Sequence, residues 1–369
     1  MKNREIRLIS IAILLTIIGF FLIYDTTATK LIAREQSPYV FVGRQVVAFV
    51  IGVFVFFIFL SIHYRNWEKG WKYLYIINIL LLFLVFFFGR ETMGAQRWFS
   101  IFGFSFQPSE LAKLLVILSI SGFFVELKTK KKYLDFVDFA VSIILISIPT
   151  LAVILQPDLG TAIVIMATGF FLIYLSEIPF KYLVRTVLLI IVLLPFFWLL
   201  LKPYQQERII SFLDPMKDPL GSGYQVIQSI ITIGSGKVLG KGWLKGPQTH
   251  LNLIPEQHTD FIFSAIGEEF GFIGGVLLIL LYYLLFRYTW YIWKDAKDDF
   301  GKMISGGILF TWFFQVFVNL CMVMGLAPVV GIPLPFISFA RTSLITNYAM
   351  LSFLINISIR GEKKIYDRF

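Results

Sequence analysis

The chain has 369 residues, of which 57% are hydrophobic and only 15% charged, with a net charge of +10. A soluble domain carries about 25% charged residues, so most of this surface faces lipid, and a string of soluble domains is excluded as a reading of the length. The positive charge does not mark a nucleic-acid binder, because the basic residues lie between apolar segments.

A spanning helix needs roughly 20 mostly apolar residues. Ten segments are predicted to span, at about 7–24, 41–62, 71–88, 108–126, 137–155, 160–176, 183–201, 260–287, 303–325 and 337–359. The first follows KNREIR and has no small-residue cleavage site behind it, so it reads as a retained span rather than a signal peptide. The fold class expected is an all-α polytopic membrane protein, a single membrane domain over 1–369. An even span number puts both termini on one side. With the N-terminus cytoplasmic, 20 of the 33 Lys and Arg fall on inside segments. Six of the other 13 lie in one long connection, which the positive-inside rule discounts, so short loops compare 20 to 7. The run KTKKK at 128–132 is a solvated inside loop within reach of anionic headgroups.

The exception is the segment 202–259, a long extracytoplasmic loop rich in Pro and Gly. Such a loop in a compact membrane protein is usually functional. The single Cys321 lies in an apolar run and reads as a small core residue; no internal disulfide or Cys-based metal site can form.

Ionisable residues inside or at the edge of a membrane are costly, and so are functional candidates by default. On the outer side these are Arg97, Glu110, Lys113, Asp158, Asp260 and Arg341, with Glu268 and Glu269 deeper in the eighth span. In GAQRWFSIFGFSFQPSELAKL (94–114), Pro108 suits the first turn of a helix. Glu110 and Lys113 then share a face, either as a structural ion pair or as part of a site. In QPDLGTA (156–162), Asp158 can cap the sixth helix. In LNLIPEQHTDFIFSAIGEEFGFIGG (251–275), Glu256, His258 and Asp260 cluster ahead of an apolar run. Asp260 is either an N-cap or a catalytic group. Behind it, Ser264, Gly267 and Gly271 form a small-residue face open to close approach by a helix or ligand. The Glu256–His258 spacing is a weak metal signal, and three His in the whole chain argue against a His-rich zinc site.

These stretches resemble the SEDS family (shape, elongation, division and sporulation). FQPSELAKL, QPDLGTA, the GxGYQVIQS stretch at 221–229, SGKVLGKGWLKGPQ at 235–248, LNLIPEQHTDFIF and GIPLPFIS at 331–338 are similar to that family in the family's order. LGKGWLKGPQTHLNLIPEQHTDFIF is closer to its RodA branch than to its division-specific FtsW branch. The resemblance implies a peptidoglycan glycosyltransferase of the bacterial cytoplasmic membrane that polymerises lipid II at the outer face, releasing undecaprenyl pyrophosphate. It implies Asp260 as the base, Glu110 and Lys113 as a pair in the substrate cavity, and Arg97, with Arg208 as a weaker contact, for phosphate. Asp158 and His258 are further substrate-binding candidates. A divalent cation, Mg²⁺ or Mn²⁺, is implied, with Asp260 as its candidate ligand. The implied partners are a class B penicillin-binding protein, the transpeptidase, and other elongation-complex proteins. Where the family has PFISYGGTSL this chain has PFISFARTSL, so Ala340 and Arg341 replace two glycines. Arg341 either adds a phosphate contact or reshapes the site. The competing functions are a flippase for the lipid-linked precursor and a non-catalytic scaffold. A flippase needs a polar path across the full bilayer, whereas the candidate groups here cluster at the outer mouth.

Overall fold

A computed structural model describes residues 3–92, 95–101, 104–200, 203–214, 221–251 and 253–361. Residues 1–2, 93–94, 102–103, 201–202, 215–220, 252 and 362–369, which include Gly94, Gly103, Lys202, Lys217 and Asn252 of the segments read above and Lys2, Lys363, Lys364 and Arg368 of the charge count, lie outside the described residues. Helices stand at all ten predicted spans: α1 (Asn3–Ile32), α2 (Val40–Ser61), α4 (Trp71–Phe88), α5 (Pro108–Lys130), α6 (Phe136–Leu155), α7 (Leu159–Leu175), α8 (Phe180–Leu200), α12 (Ile262–Asp295), α13 (Asp299–Val323) and α14 (Arg341–Arg360). A short α3 (Asn66–Lys69) joins α2 to α4. Among the described residues, seven helices, α1, α2, α4, α6, α12, α13 and α14, are long and apolar enough to cross a membrane. α7 is apolar but only 17 residues long.

Burial explains the helices of lower apolarity. From Pro108 to Phe124 nearly every α5 side chain is buried, and α14 is buried from Thr342 to Ser358 except at Ile345. These two helices form the centre of the bundle, packed against α2, α4 and α13. They meet protein instead of lipid, so they can carry Glu110, Lys113, Asn347 and Asn356. The outer helices show lipid-facing rows of exposed large side chains, such as Phe54 and Phe57 on α2 and Phe87 and Phe88 on α4, as expected where the solvent is hydrocarbon.

Two features add to the helical bundle: a small sheet, and short helices within the long 202–259 connection. β1 (Arg90–Thr92), β2 (Ala95–Ile101) and β3 (Phe104–Phe106) pair as a three-stranded antiparallel sheet in the order β1-β2-β3. Trp98 pairs with Arg90, and Phe99 with Phe106. The long connection folds in part as α9 (Pro203–Leu213), α10 (Ser222–Ser235) and α11 (Pro247–His250). α10 is amphipathic and packs on α12.

The eighth span is broken. Gly271 has φ 63° and ψ −160°, so α12 is two helices joined at one residue. A break at membrane depth is tolerated only where other groups satisfy the freed backbone. Here the chain's own 237–242 segment does so. Lys241 N and Gly242 N donate to the carbonyls of Glu268 and Glu269 at 3.0 and 2.9 Å, and Phe272 N and Ile273 N donate to Lys237 O and Val238 O at 2.9 and 3.2 Å. A Cβ on Gly271 would sit 2.7 Å from Val238 O, so glycine is required both for its dihedral angles and for this approach.

Candidate functional site

One cavity of about 430 Å³ gathers most of the candidate residues. Its lining includes Arg97, Glu110, Asp158, Arg208, His258, Asp260 and Arg341, from β2, α5, the α6–α7 turn, α9, the segment before α12 and the start of α14. Lys113 does not line it but donates to Glu110 Oε2 at 2.7 Å from directly behind, with side-chain exposures of 3% and 6%. Pro108 occupies the first turn of α5 as expected and sets the register that turns Glu110 to the cavity.

Asp158 caps α7: Oδ1 accepts from Thr161 N at 3.2 Å. Its Oδ2 accepts from Gln107 Nε2 at 2.8 Å and Ser109 Oγ at 3.0 Å, tying the start of α5 to that of α7. Arg97 donates through Nε to Gln156 O at 2.9 Å and through a terminal nitrogen to Pro157 O. Its charge is thereby held at the cavity wall by the carbonyls that end α6. His258 lies between Phe41 and Phe339, ring centroids 4.7 and 5.3 Å away, with Nε2 3.5 Å from Glu256 Oε2. Burial pushes its imidazole down to about 4, so it is neutral at physiological pH.

Asp260 lies just ahead of α12, and it is not a cap. The N-cap position is Phe261, and no side-chain cap bond is made there. Its backbone carbonyl accepts from Asn319 Nδ2 at 2.8 Å. Gly331, with φ 73°, backs the carboxylate so closely that a Cβ there would meet Oδ2 at 3.2 Å. Burial pushes the Asp260 carboxyl up to about 6; the charges of Asp158 and Glu256 act in the same direction, while Arg208 and Arg97 oppose them. A carboxylate poised near neutrality in a polar cleft is suited to general-base work.

The small-residue face behind Asp260 is occupied by the chain itself. Gly267 lies against Ile233 of α10, where a Cβ would meet Ile233 Cα at 3.0 Å. Arg341 places its guanidinium 5.2 Å from the Phe104 ring centroid. Ala340 has φ −154°, so position 340 does not require glycine here. Sequence reasoning missed Gln107, Ser109 and Asn319, which position the charged groups. Nothing in their spacing separates them from ordinary polar residues. Among the described residues, one group could offer three ligands to a metal ion: Asp25, His250 and Glu269, outside the cavity. Asp260 is not part of it.

The fold and the cavity define a polytopic helical membrane protein with a charged site ringed by helix ends. The profile of the Cell cycle protein family of FtsW, RodA and SpoVE matches residues 6–363, and the chain belongs to this family. The peptidoglycan glycosyltransferase MrdB of Escherichia coli (strain K12) is 40% identical over 326 residues, covering 88% of this chain and 87% of that protein. The probable peptidoglycan glycosyltransferase FtsW of Wigglesworthia glossinidia brevipalpis is 36% identical, covering 92% and 90%. Among solved structures, a chain from work on "Structural coordination of polymerization and crosslinking by a peptidoglycan synthase complex" superposes with a TM-score of 0.80 at 32% identity, covering 96% of this chain and 98% of that one. The rod shape determining protein RodA of Thermus thermophilus gives 0.70 at 26% identity, covering 95% of each.

Proposed function

We propose that the chain is a peptidoglycan glycosyltransferase of the RodA branch that joins lipid II units at the outer face of the bacterial cytoplasmic membrane. The observation that carries this reading is Asp260, a desolvated carboxylate facing a cavity that is also lined by Arg97, Arg208 and Arg341. The 4-hydroxyl of the acceptor N-acetylglucosamine attacks the anomeric carbon of the donor N-acetylmuramic acid. The new C–O bond forms with inversion as the bond to pyrophosphate breaks. Asp260 takes the hydroxyl proton, and undecaprenyl pyrophosphate leaves with the bonding pair. Arg97 and Arg208 stabilise the charge that develops on the leaving group.

Glu110 orients the bound sugar, and Lys113 holds Glu110. Asp158 and His258 shape the wall rather than transfer protons. About 430 Å³ accommodates the sugar–pyrophosphate junction, with the lipid tail in the bilayer and the peptide in water. A divalent Mg²⁺ or Mn²⁺ fits one free carboxylate plus substrate phosphate oxygens; Asp260 would be its protein ligand, and it would neutralise pyrophosphate charge. A class B penicillin-binding protein is the membrane partner, within the elongation complex. The test is purified protein with lipid II, products read on a gel. Asp260→Asn should fold and insert normally but lose about 10²–10⁴-fold in rate; wild-type polymerisation by that variant would refute the mechanism.

A further inference from the structure

Asp25 of α1, His250 of α11 and Glu269 of α12 converge away from the cavity. Ligand atoms from all three lie within 4.8 Å of one another. His250 Nε2 is 3.6 Å from Asp25 Oδ1 and 3.6 Å from Glu269 Oε1. The side chains of Asp25 and Glu269 have 0% exposure. Neither oxygen of Asp25, nor Oε2 of Glu269, meets a hydrogen-bond donor. Neighbouring Glu268 is satisfied, by contrast: it accepts from Lys241 Nζ at 2.7 Å and from Thr249 N and Oγ1 at 2.8 Å each. Two facing buried carboxylates, of which only Glu269 Oε1 meets a donor, Gly246 N at 3.4 Å, are costly unless a cation or a proton joins them.

We infer that these three side chains hold a divalent transition-metal ion of the Zn²⁺ or Mn²⁺ type, separate from any cation bound with substrate at Asp260. The ligand set is one imidazole nitrogen and two carboxylates. A shared proton would bridge the carboxylates with His250 only as their ion-pair partner at 3.6 Å, whereas a dication takes a ligand atom from all three groups. Imidazole selects transition metals over Mg²⁺ or Ca²⁺, and three protein ligands leave room for water. His250 Nδ1 is 2.9 Å from Thr29 Oγ1, which fixes the ring with Nε2 toward the carboxylates; metal-bound His residues usually have such an outer partner. His250 keeps 21% of its side chain exposed, which provides a way in for the ion. The ion would fasten the segment leading to Asp260 onto α1 and the first half of α12, so its role is positional.

The test uses the full-length protein in detergent, stripped with a chelator, equilibrated with Zn²⁺, Mn²⁺ or the spectroscopic probe Co²⁺, and desalted. Wild type and Asp260→Asn should each retain about one ion per chain and melt at a higher temperature with metal than without. Asp25→Asn and His250→Gln should lose the ion and the metal-dependent rise. Thr29→Ala should weaken binding by about 10–100-fold. His250→Gln, at the partly exposed position, keeps the test open if Asp25→Asn does not fold. The inference is overturned if wild type retains no more ion than His250→Gln, as a shared proton would give, or if the ion is lost with Asp260→Asn.

Discussion

The Asp260 carboxylate is opposed by desolvation and by two neighbouring acids, and favoured by two arginines. In the proposed role of base it must be ionised, so the rate should rise with pH through a limb near 6 rather than near the ordinary 3.8. At pH 5 only about a tenth of the sites would be ionised. A pH–rate profile checks this, and a limb near 4 would mean that the titrating group is another carboxylate. Arg208→Gln removes a cation that favours the charged form and should move the limb upward. The sign of the linked stability effect is the reverse of the usual carboxylate case. A folded value above the unfolded one means that this group's stabilising contribution is lost as pH rises from about 4 through about 6. Asp260→Asn should therefore melt higher than wild type at neutral pH while losing activity, a combination that a purely structural residue would not produce.

At the same scale, Glu110 and Lys113 are a buried ion pair at 2.7 Å. Removing one partner strands a charge, so Lys113→Met alone should destabilise by about 3–5 kcal/mol, whereas Glu110→Leu with Lys113→Met should be close to neutral in thermal unfolding. Polymerisation assays on the folded double variant then decide the role. Loss of product supports service to the site, and full activity refutes it. The i,i+3 spacing was legible in the sequence; which side faces the cavity was not, because that depends on β2 and the α6–α7 turn closing over the start of α5.

Among the elements, α12 is the one that the hydropathy pattern misrepresents. Its apolar run continues across Gly271, since a glycine does not interrupt hydropathy, yet the helix breaks there. What makes the break possible is the 237–242 segment, more than 25 residues earlier, which supplies the missing backbone partners. Gly271→Ala should cost about 1–3 kcal/mol for a backbone conformation that is essentially glycine's alone, and more for the close approach of Val238 O. The measurement is the melting temperature in detergent; an unchanged value would mean that the break relaxes into a continuous helix. The β1–β3 sheet escaped the sequence reading for a related reason. β1 and β3 have three residues each and the seven of β2 do not alternate apolar with polar, so only their pairing identifies them.

At the scale of the whole molecule, the charge bias of the loops predicts that both termini are cytoplasmic and that the cavity end faces outward. Cysteine labelling in intact cells tests this. Lys130→Cys should be inaccessible from outside, and Lys217→Cys, outside the described residues, should be accessible; labelling of Lys130→Cys would invert the topology. By itself the sequence determined that the chain lives in lipid, roughly where its apolar helices lie and which family it resembles, and it singled out the charged residues proposed for the site. These follow from local quantities, namely apolar runs, loop charges and motif strings. The tertiary structure decided that α5 and α14 are the buried centre, that Asp260 is not a cap and that the small-residue face is filled by the chain's own α10. It also brought Asp25, His250 and Glu269 together. Those outcomes depend on which distant segments meet, and the energies of burial and of backbone pairing are settled only once they do.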